Sequence, residues 1–233
     1  MKTIVVILTY NEVSNIEKVI CDVLKSVPNA EVLVVDDMSP DGTYKVVEDI
    51  AKQNSKVHLL LRKEKKGRGY AGKDGFIKAL EMNADFIVEM DGDGSHDPKY
   101  IPEFLEVIRD CDVVIGARYI GCGKDEERTL LRKLISKFSR LYISTILGVD
   151  NIKDPGSGYR IYKKDALTKF VYKLKASDPF IVTEIIYQLK KNNLKVKESP
   201  IIFLERFSGE SKLRAITLIK YLFKVLKLKM LGQ

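Results

Sequence analysis

The sequence predicts an α/β fold built on a mainly parallel sheet with helices on both faces, and three observations predict it. Strand-length apolar runs alternate with helix-period segments through the first half of the chain. The runs are apolar at successive positions, as strands covered on both faces must be. Each run also ends in polar or acidic residues, which in a parallel sheet gather along the carboxyl edge where ligands bind.

Residues 3–9 form the first apolar run, and Ser14-Asn15-Ile16-Glu17 has the spacing of a capping box opening a helix to about residue 26. Residues 30–36 are a Val-rich second run ending in Asp36-Asp37, after which Pro40-Asp41-Gly42-Thr43 turns the chain into a helix reaching about residue 53. Residues 57–62 are a third strand, followed by a basic, Gly-containing loop and a helix to about residue 83. Residues 85–90 and 113–119 are the fourth and fifth strands, with a helix over 98–109 between them.

Past Tyr119 the alternation loosens. Gly121, Gly123 and Asp125-Glu126-Glu127 predict a mobile loop, then a long helix over about 128–147 and a Gly-rich turn at Asp154-Pro155-Gly156-Ser157-Gly158. A short strand near 159–162, helices near 164–173 and 179–191, a strand near 195–204 and a final helix over about 213–231 complete the chain. No repeat or linker divides it, so the expected organisation is one domain over 1–212 with a basic helical extension over 213–233.

Of 233 residues, 45% are apolar and 31% charged, which excludes a disordered chain. The net charge of +8 hides an asymmetry: residues 1–117 hold 15 Lys+Arg and 21 Asp+Glu, a net of −6, whereas residues 118–233 hold 25 and 11, a net of +14. An acidic half suits a metal or polar ligand, and a basic half suits an anionic partner such as nucleic acid, a phosphorylated substrate or lipid headgroups. Cys21, Cys111 and Cys122 form no CxxC pair, which argues against a disulfide framework or zinc site and for a reducing cytosolic setting. The first apolar run is too short for a signal peptide. The C-terminal stretch 215–231 is interrupted by Lys220, Lys224, Lys227 and Lys229, so it does not read as a spanning helix but can lie on a membrane.

Two motifs compete to define the chemistry. Asp91-Gly92-Asp93-Gly94-Ser95-His96-Asp97-Pro98 follows a buried strand, and its paired carboxylates are hard oxygen ligands suited to Mg²⁺ or Mn²⁺ bridging a diphosphate. The alternative for this segment alone is an Asp/Gly turn with a helix cap at Asp97. Gly67-Arg68-Gly69-Tyr70-Ala71-Gly72 matches the dinucleotide pattern G-x-G-x-x-G, but it does not lie at the first strand-to-helix turn and stands too far from its own strand. The metal motif is preferred. The basic half lacks a helix-turn-helix or aromatic-interleaved sheet signature, so nucleic acid is not the expected partner.

The ordered set Thr9-Tyr10-Asn11-Glu12, Asp36-Asp37-Met38-Ser39-Pro40-Asp41-Gly42-Thr43, Asp91 to Pro98, Gly116-Ala117-Arg118-Tyr119, Gly156-Ser157-Gly158-Tyr159-Arg160 and Gly209-Glu210-Ser211-Lys212 resembles the family 2 glycosyltransferases. Within them it resembles the dolichol-phosphate (polyprenol-phosphate) mannose synthases, over nearly the whole chain. The resemblance implies a GT-A fold with a Rossmann-like sheet, a nucleotide-sugar donor, most often GDP-mannose, and transfer with inversion to a polyprenyl or dolichyl phosphate. It implies that residues 1–117 serve the donor and 118–212 the acceptor.

Carried over by position, Tyr10, Glu12 and Asp37 meet the nucleoside, and Asp91 and Asp93 meet the metal and diphosphate. Ser95 stands where some relatives carry a Gln metal ligand, and so joins the candidate metal ligands. Arg118, Arg132 and Ser136 match the residues that hold the acceptor phosphate, and Arg206 and Lys212 match basic residues beside the diphosphate. A lipid monophosphate is already an anionic nucleophile, so no strong general base is required; His96 reads as a structural or metal-loop residue. Asp154 and Arg160 either shape the sugar pocket or form a buried ion pair.

On the helix from Arg128, the residues Arg128, Arg132, Ser136 and Arg140 recur every fourth position, with Leu131, Leu134, Ile135, Phe138 and Leu141 on another face. In the last helix Lys220, Lys224 and Lys227 stand against Ile219, Leu222, Phe223, Leu226 and Met230. Basic amphipathic helices of this kind either lie in an anionic headgroup plane or simply pack an apolar face on the domain. The expected location is the cytoplasmic face of a membrane, held peripherally, with a membrane-embedded partner possible. The alternative within enzymes is a family 2 transferase using UDP-glucose or another acceptor.

Overall fold

A computed structural model describes residues 1–64, 67–125, 130–204 and 215–231, with the backbone alone described at 125, 130–134 and 215–219. The elements in chain order are β1 (Thr3–Thr9), α1 (Ile16–Ser26), β2 (Glu31–Asp36), α2 (Thr43–Gln53), β3 (Val57–Leu61), α3 (Arg68–Glu81), β4 (Phe86–Asp91), α4 (Ile101–Val107), β5 (Val113–Ala117), β6 (Lys124–Asp125), α5 (Leu130–Leu147), β7 (Arg160–Lys163), α6 (Lys164–Thr168), α7 (Ile181–Lys191), β8 (Val196–Pro200), β9 (Ile202–Phe203) and α8 (Ala215–Leu231). Short 3₁₀ turns flank α4 on both sides, and another follows α6.

The main sheet has seven strands in the order β3-β2-β1-β4-β7-β5-β8. All its pairings are parallel except those of β7, which runs antiparallel between β4 and β5. The strand from the second half thus enters the sheet between two strands of the first, and the acidic and basic halves share one sheet. The predicted strand over 195–204 divides at Ile201: β8 continues the main sheet while β9 pairs with β6 in a separate two-stranded ribbon.

Strand alternation sorts the core onto two faces. Ile4, Val6 and Leu8 of β1 join α3, α5, α7 and α8 in one apolar cluster, and Val5 and Ile7 join α1, α2 and α4 in the other. β1, β2 and β4 are buried along nearly their whole length, as their unbroken apolar runs predict, and the edge strand β3 is half-exposed.

The capping box expected at Ser14 does not form. Asn15 is the N-cap of α1 and makes no side-chain cap hydrogen bond; its amide donates instead to Glu12 Oε2, and the Glu12 carbonyl accepts from the Asn15 and Ile16 backbone N–H groups. The first turn of α1 is therefore satisfied from the loop that precedes it. Both Asn83 after α3 and Asn193 after α7 adopt the left-handed conformation, a common way to end a helix.

α8 packs through Val225 and Leu228, which are buried in the core cluster. Tyr142 of α5 donates its hydroxyl to the Leu222 carbonyl, which ties α5 to α8. A second apolar strip on α8 faces outward: Phe223 is 68% and Met230 79% exposed. On α5, Phe138 and Leu141 are exposed as well, while Ile143 and Leu147 are buried. The last helix therefore serves the core and presents an apolar strip at once. Among the described residues no helix is long and apolar enough to cross a membrane.

Candidate active site

The carboxyl ends of β1, β2 and β4 open onto a cleft of about 240 Å³ whose walls include Tyr10, Glu12, Asp37, Arg68, Asp91 and Asp93. Four separate motifs meet there, and each is held in place by identifiable bonds.

The loop after β1 is clamped by the motif after β2. Ser39 Oγ accepts from the Asn11 backbone N–H, Thr43 Oγ1 accepts from that of Glu12, and Asp41 Oδ2 accepts from that of Val13. Three successive orphan donors are thereby satisfied by the Ser-Pro-Asp-Gly-Thr side chains. Asn11 lies in the left-handed region, which Asn tolerates, and Met38 lies there too, at φ 55°. The Met38 conformation is fixed by its neighbour: buried Asp36 accepts from both Ser39 N–H and Ser39 Oγ, and also from Thr9 Oγ1.

Of the Asp36-Asp37 pair, only Asp37 reaches the cleft. Arg62 pairs with its Oδ1, and the Gly67 backbone N–H donates to its Oδ2 at 2.6 Å. Asp37 thus also secures the start of α3.

Burial works to raise the Asp41 pKa, but donation from Thr43 Oγ1, Thr43 N–H and Val13 N–H outweighs it and holds the carboxyl below its ordinary value of 3.8. A depressed carboxylate stabilises the folded form above its unfolded pKa, and that contribution is lost as pH falls through the folded value. The Val13 and Thr43 amide resonances should therefore titrate with a midpoint below 3.8. A midpoint at or above pH 4 would contradict the clamp.

Asp91 ends β4 with its side chain partly open to the cleft, and Asp93 is buried beside it. Gly92 is required between them because a Cβ there would lie 2.7 Å from the Thr9 methyl group of the neighbouring strand. Gly94 has φ 79° and turns the chain back. Ser95 donates both its N–H and its hydroxyl to Asp93 Oδ1, at 3.0 and 2.6 Å. Its oxygen is fully buried and orients Asp93 from behind.

His96 Nδ1 accepts the Asp91 backbone N–H at 3.1 Å, and its ring stacks on Tyr159. Burial lowers its pKa, against the pull of Asp91 and Asp93, so the neutral ring holds the motif loop. The other histidine, His58, pairs with Glu31 on β2. Asp97 caps the 3₁₀ turn by accepting from the Lys99 N–H, so the cap and the carboxylate pair coexist in one motif.

The donor atoms fit a hard divalent cation as a pair rather than as a cage. Among the described residues no group of three His, Cys, Asp or Glu gathers to hold a metal ion. Asp91 and Asp93 on one wall supply carboxylate oxygens only, which suits Mg²⁺ or Mn²⁺ completed by phosphate and water oxygens.

The basic half contributes differently from the expectation. Arg118 is buried, and its Nε and Nη2 form a fork on Asp154 at 2.8 and 2.9 Å while its backbone N–H donates to the same carboxylate. Glu198 in turn accepts from the Lys153 and Asp154 N–H groups. Asp154 therefore pairs with Arg118, so of the two alternatives for Asp154 and Arg160 the ion pair between them does not form. Arg160, fully buried, donates to the Val182 and Pro155 carbonyls and braces the Gly-rich turn.

Ser136 Oγ lies 3.2 Å from the Tyr119 hydroxyl, and the Arg140 guanidinium stacks on the Tyr119 ring at 3.7 Å. The Arg132 side chain and all of Arg206, Lys212 and Arg128 lie outside the described residues.

One cleft residue, Arg68, and the buried Glu89 beneath it escape the motif reading. Arg68 Nη2 donates to Asp91 Oδ1 at 3.1 Å, and its Nη1 lies 3.4 Å from Glu89 Oε1. Glu89 sits fully buried inside β4 and accepts from the Tyr162 hydroxyl; burial pushes its carboxyl pKa up, against Arg68 and Arg160. The signal for Arg68 was its place between two glycines, read as part of a dinucleotide pattern. Glu89 gave a faint one, a lone acid inside an apolar run.

The model of the family described as "Glycosyl transferase family 2" matches residues 4–171. The chain is 37% identical over 214 residues to an undecaprenyl-phosphate mannosyltransferase of Micrococcus luteus, covering 91% of this chain and 88% of that one. It is 34% identical over 227 residues to a polyprenol monophosphomannose synthase of Mycolicibacterium smegmatis, covering 96% and 85%. Its fold is similar to that of glucosyl-3-phosphoglycerate synthase from Mycobacterium tuberculosis, solved with Mn²⁺, UDP and glucosyl-3-phosphoglycerate, at TM-score 0.68 and 17% identity, covering 99% of this chain and 79% of that one. The α/β sheet, the carboxylate-lined cleft and these similarities agree: the chain is a glycosyltransferase and belongs to glycosyl transferase family 2.

Proposed function

We propose that the protein transfers mannose from GDP-mannose to a polyprenyl phosphate, with inversion at the sugar carbon. The observation that carries this reading is the similarity to two polyprenyl-phosphate mannose transferases along 91% and 96% of the chain, spanning both the donor cleft and the basic half. In this reading Tyr10, Glu12 and Asp37 flank the nucleoside and Asp91 and Asp93 face the diphosphate. Arg118, Arg132 and Ser136 hold the acceptor phosphate, and Arg206 and Lys212 meet the leaving diphosphate. Residues 1–117 then serve the donor, 118–212 the acceptor, and 213–233 form the basic extension.

The chain's own groups suit a reaction without a general base. A phosphate monoester arrives as an anion, and the neutral, buried His96 is occupied with the Asp91 N–H. What remains is orientation and charge stabilisation. A divalent cation bound with the donor would neutralise charge on the departing diphosphate. Arg118 gains its precision from the Asp154 fork, which fixes the guanidinium plane.

A lipid acceptor requires contact with a membrane surface. Phe223, Leu226 and Met230 form the exposed strip of α8, beside exposed Lys220, Lys227 and Lys229, and we assign this face to peripheral contact with anionic lipid at the cytoplasmic side. Phe223→Ser with Met230→Ser should reduce cosedimentation with anionic liposomes severalfold while leaving the thermal midpoint unchanged, since neither side chain is buried. Unchanged cosedimentation would remove this face from the account.

Donor identity is tested by ligand-induced stabilisation, because whatever binds the folded cleft raises its melting temperature. GDP and GDP-mannose with Mg²⁺ should raise it more than UDP and UDP-glucose at equal concentration. The reverse order would transfer the protein to the UDP-glucose branch.

A further inference from the structure

Arg68 occupies the cleft in a manner that the transfer reaction alone does not require. Its guanidinium bridges two carboxylates of β4: Nη2 donates to Asp91 Oδ1 at 3.1 Å, and Nη1 stands 3.4 Å from Glu89 Oε1. Glu89 and Asp91 stand two positions apart in β4, so their side chains leave the same face of the strand, and both reach Arg68. The second contact is loose. Arg68 Nη1 and Glu89 Oε1 are both buried and neither has a hydrogen-bond partner. A cation that leaves one buried donor and one buried acceptor unsatisfied is not in its best possible position.

The slot around it is nonetheless built. A Cβ at Gly158, in the Gly-rich turn, would lie 2.6 Å from Arg68 Nη2, so glycine there clears the space for the guanidinium. A Cβ at Gly69 would overlap the Ala176 carbonyl, so the start of α3 is pressed against the 175–177 segment. That segment is fixed in turn by the buried Glu184 carboxylate, which accepts from the Lys175 and Ala176 N–H groups. Arg68 is therefore directed at Asp91 by three converging backbones.

We propose that Arg68 is the resident countercation of the cleft: it holds Asp91 while no donor is present and makes divalent-cation binding conditional on the nucleotide diphosphate. A metal ion arriving alone must compete with a guanidinium already bonded to its first carboxylate, and must approach a fixed positive charge within a few ångström. A diphosphate arriving with the ion supplies acceptor oxygens for Nη1 and Nη2, so Arg68 turns from Asp91 to the phosphate while the ion takes the carboxylate. This inference rests on the proposed role of Asp91 and Asp93 in holding the cation and diphosphate. It adds that the two ligands are coupled through one side chain. Coupling of this kind is reciprocal, so the cation must strengthen nucleotide binding by the factor by which the nucleotide strengthens cation binding.

The test is Mn²⁺ binding followed by the EPR signal of the free ion, with and without GDP, on the wild type, Arg68→Gln and Arg68→Lys. GDP should tighten Mn²⁺ binding at least about tenfold in the wild type. Arg68→Gln should bind Mn²⁺ alone about tenfold more tightly than the wild type, because a unit charge beside the ion has been removed, and should lose most of the tightening by GDP. Arg68→Lys keeps the charge without the fork, and should fall between them; it decides the matter if the Gln variant does not fold. Mn²⁺ binding by the Gln or Lys variant that is no tighter than wild type, with the GDP effect intact, would overturn the role of Arg68 and leave the cation site standing. Failure of Mn²⁺ to bind the wild type even with saturating GDP would overturn both.

Discussion

Replacing Asp91 by Asn should lower kcat/KM by about 10²–10³-fold, the scale seen when one stabilising contact to developing charge is removed. Asn keeps the shape of Asp and the backbone N–H that His96 accepts, so the end of β4 retains its geometry. The side chain is partly open to the cleft and carries no ladder hydrogen bond that the substitution would break. The melting temperature should consequently change by only a few degrees. The loss should fall on kcat more than on KM if the carboxylate acts on charge that grows as the diphosphate departs. A variant within tenfold of the wild type would show that Asp91 is not part of the reacting centre.

Arg118 should respond in the opposite way, with stability first. Its guanidinium forms a buried fork on Asp154, and truncating one partner of such a pair leaves the other charge uncompensated, at a cost of about 3–5 kcal/mol. Arg118→Met should thus lower the melting temperature substantially and abolish transfer. Arg118→Met combined with Asp154→Asn removes both charges, and should recover much of the stability because a neutral amide can still accept the residue 118 backbone N–H. Activity should not return with it if the guanidinium meets the acceptor phosphate. Recovery of both would reduce Arg118 to a structural brace; recovery of neither would place the defect in the 154–158 turn.

The fold was legible because strand and helix signals agreed locally. Residues 3–9, 31–36 and 86–91 carry apolar residues at successive positions and are buried along nearly their whole length, as strands covered on both faces are. The position of β7 was not legible. Arg160-Ile161-Tyr162-Lys163 reads as a weak strand, and nothing local says that it must run antiparallel between β4 and β5. The break between β8 and β9 was hidden for the same reason, since it is set by pairing with β6.

The site was legible where several side chains of one motif act on one loop, as Ser39, Asp41 and Thr43 do on residues 11–13. It was obscure where a side chain meets a distant partner. The Arg118–Asp154 pair spans 36 positions, and Arg160 is the arginine nearer to Asp154 in sequence. Arg68 lay in plain view between two glycines, yet its meaning depends on Glu89 below it and Gly158 beside it. The capping box at Ser14 failed because Glu12, upstream, already satisfied the first turn of α1. The charge split of −6 and +14 survives in a modified form, since the halves share one sheet and Arg68 places a basic residue inside the acidic cleft.

The most direct test of the account is the transfer itself. GDP-mannose labelled in the sugar, incubated with polyprenyl phosphate, Mg²⁺ or Mn²⁺ and the full chain, should yield label in the chloroform phase as a polyprenyl-phosphate mannose, with the anomeric configuration opposite to that of the donor. No chloroform-soluble label from GDP-mannose, or label carried only by a water-soluble acceptor, would contradict it.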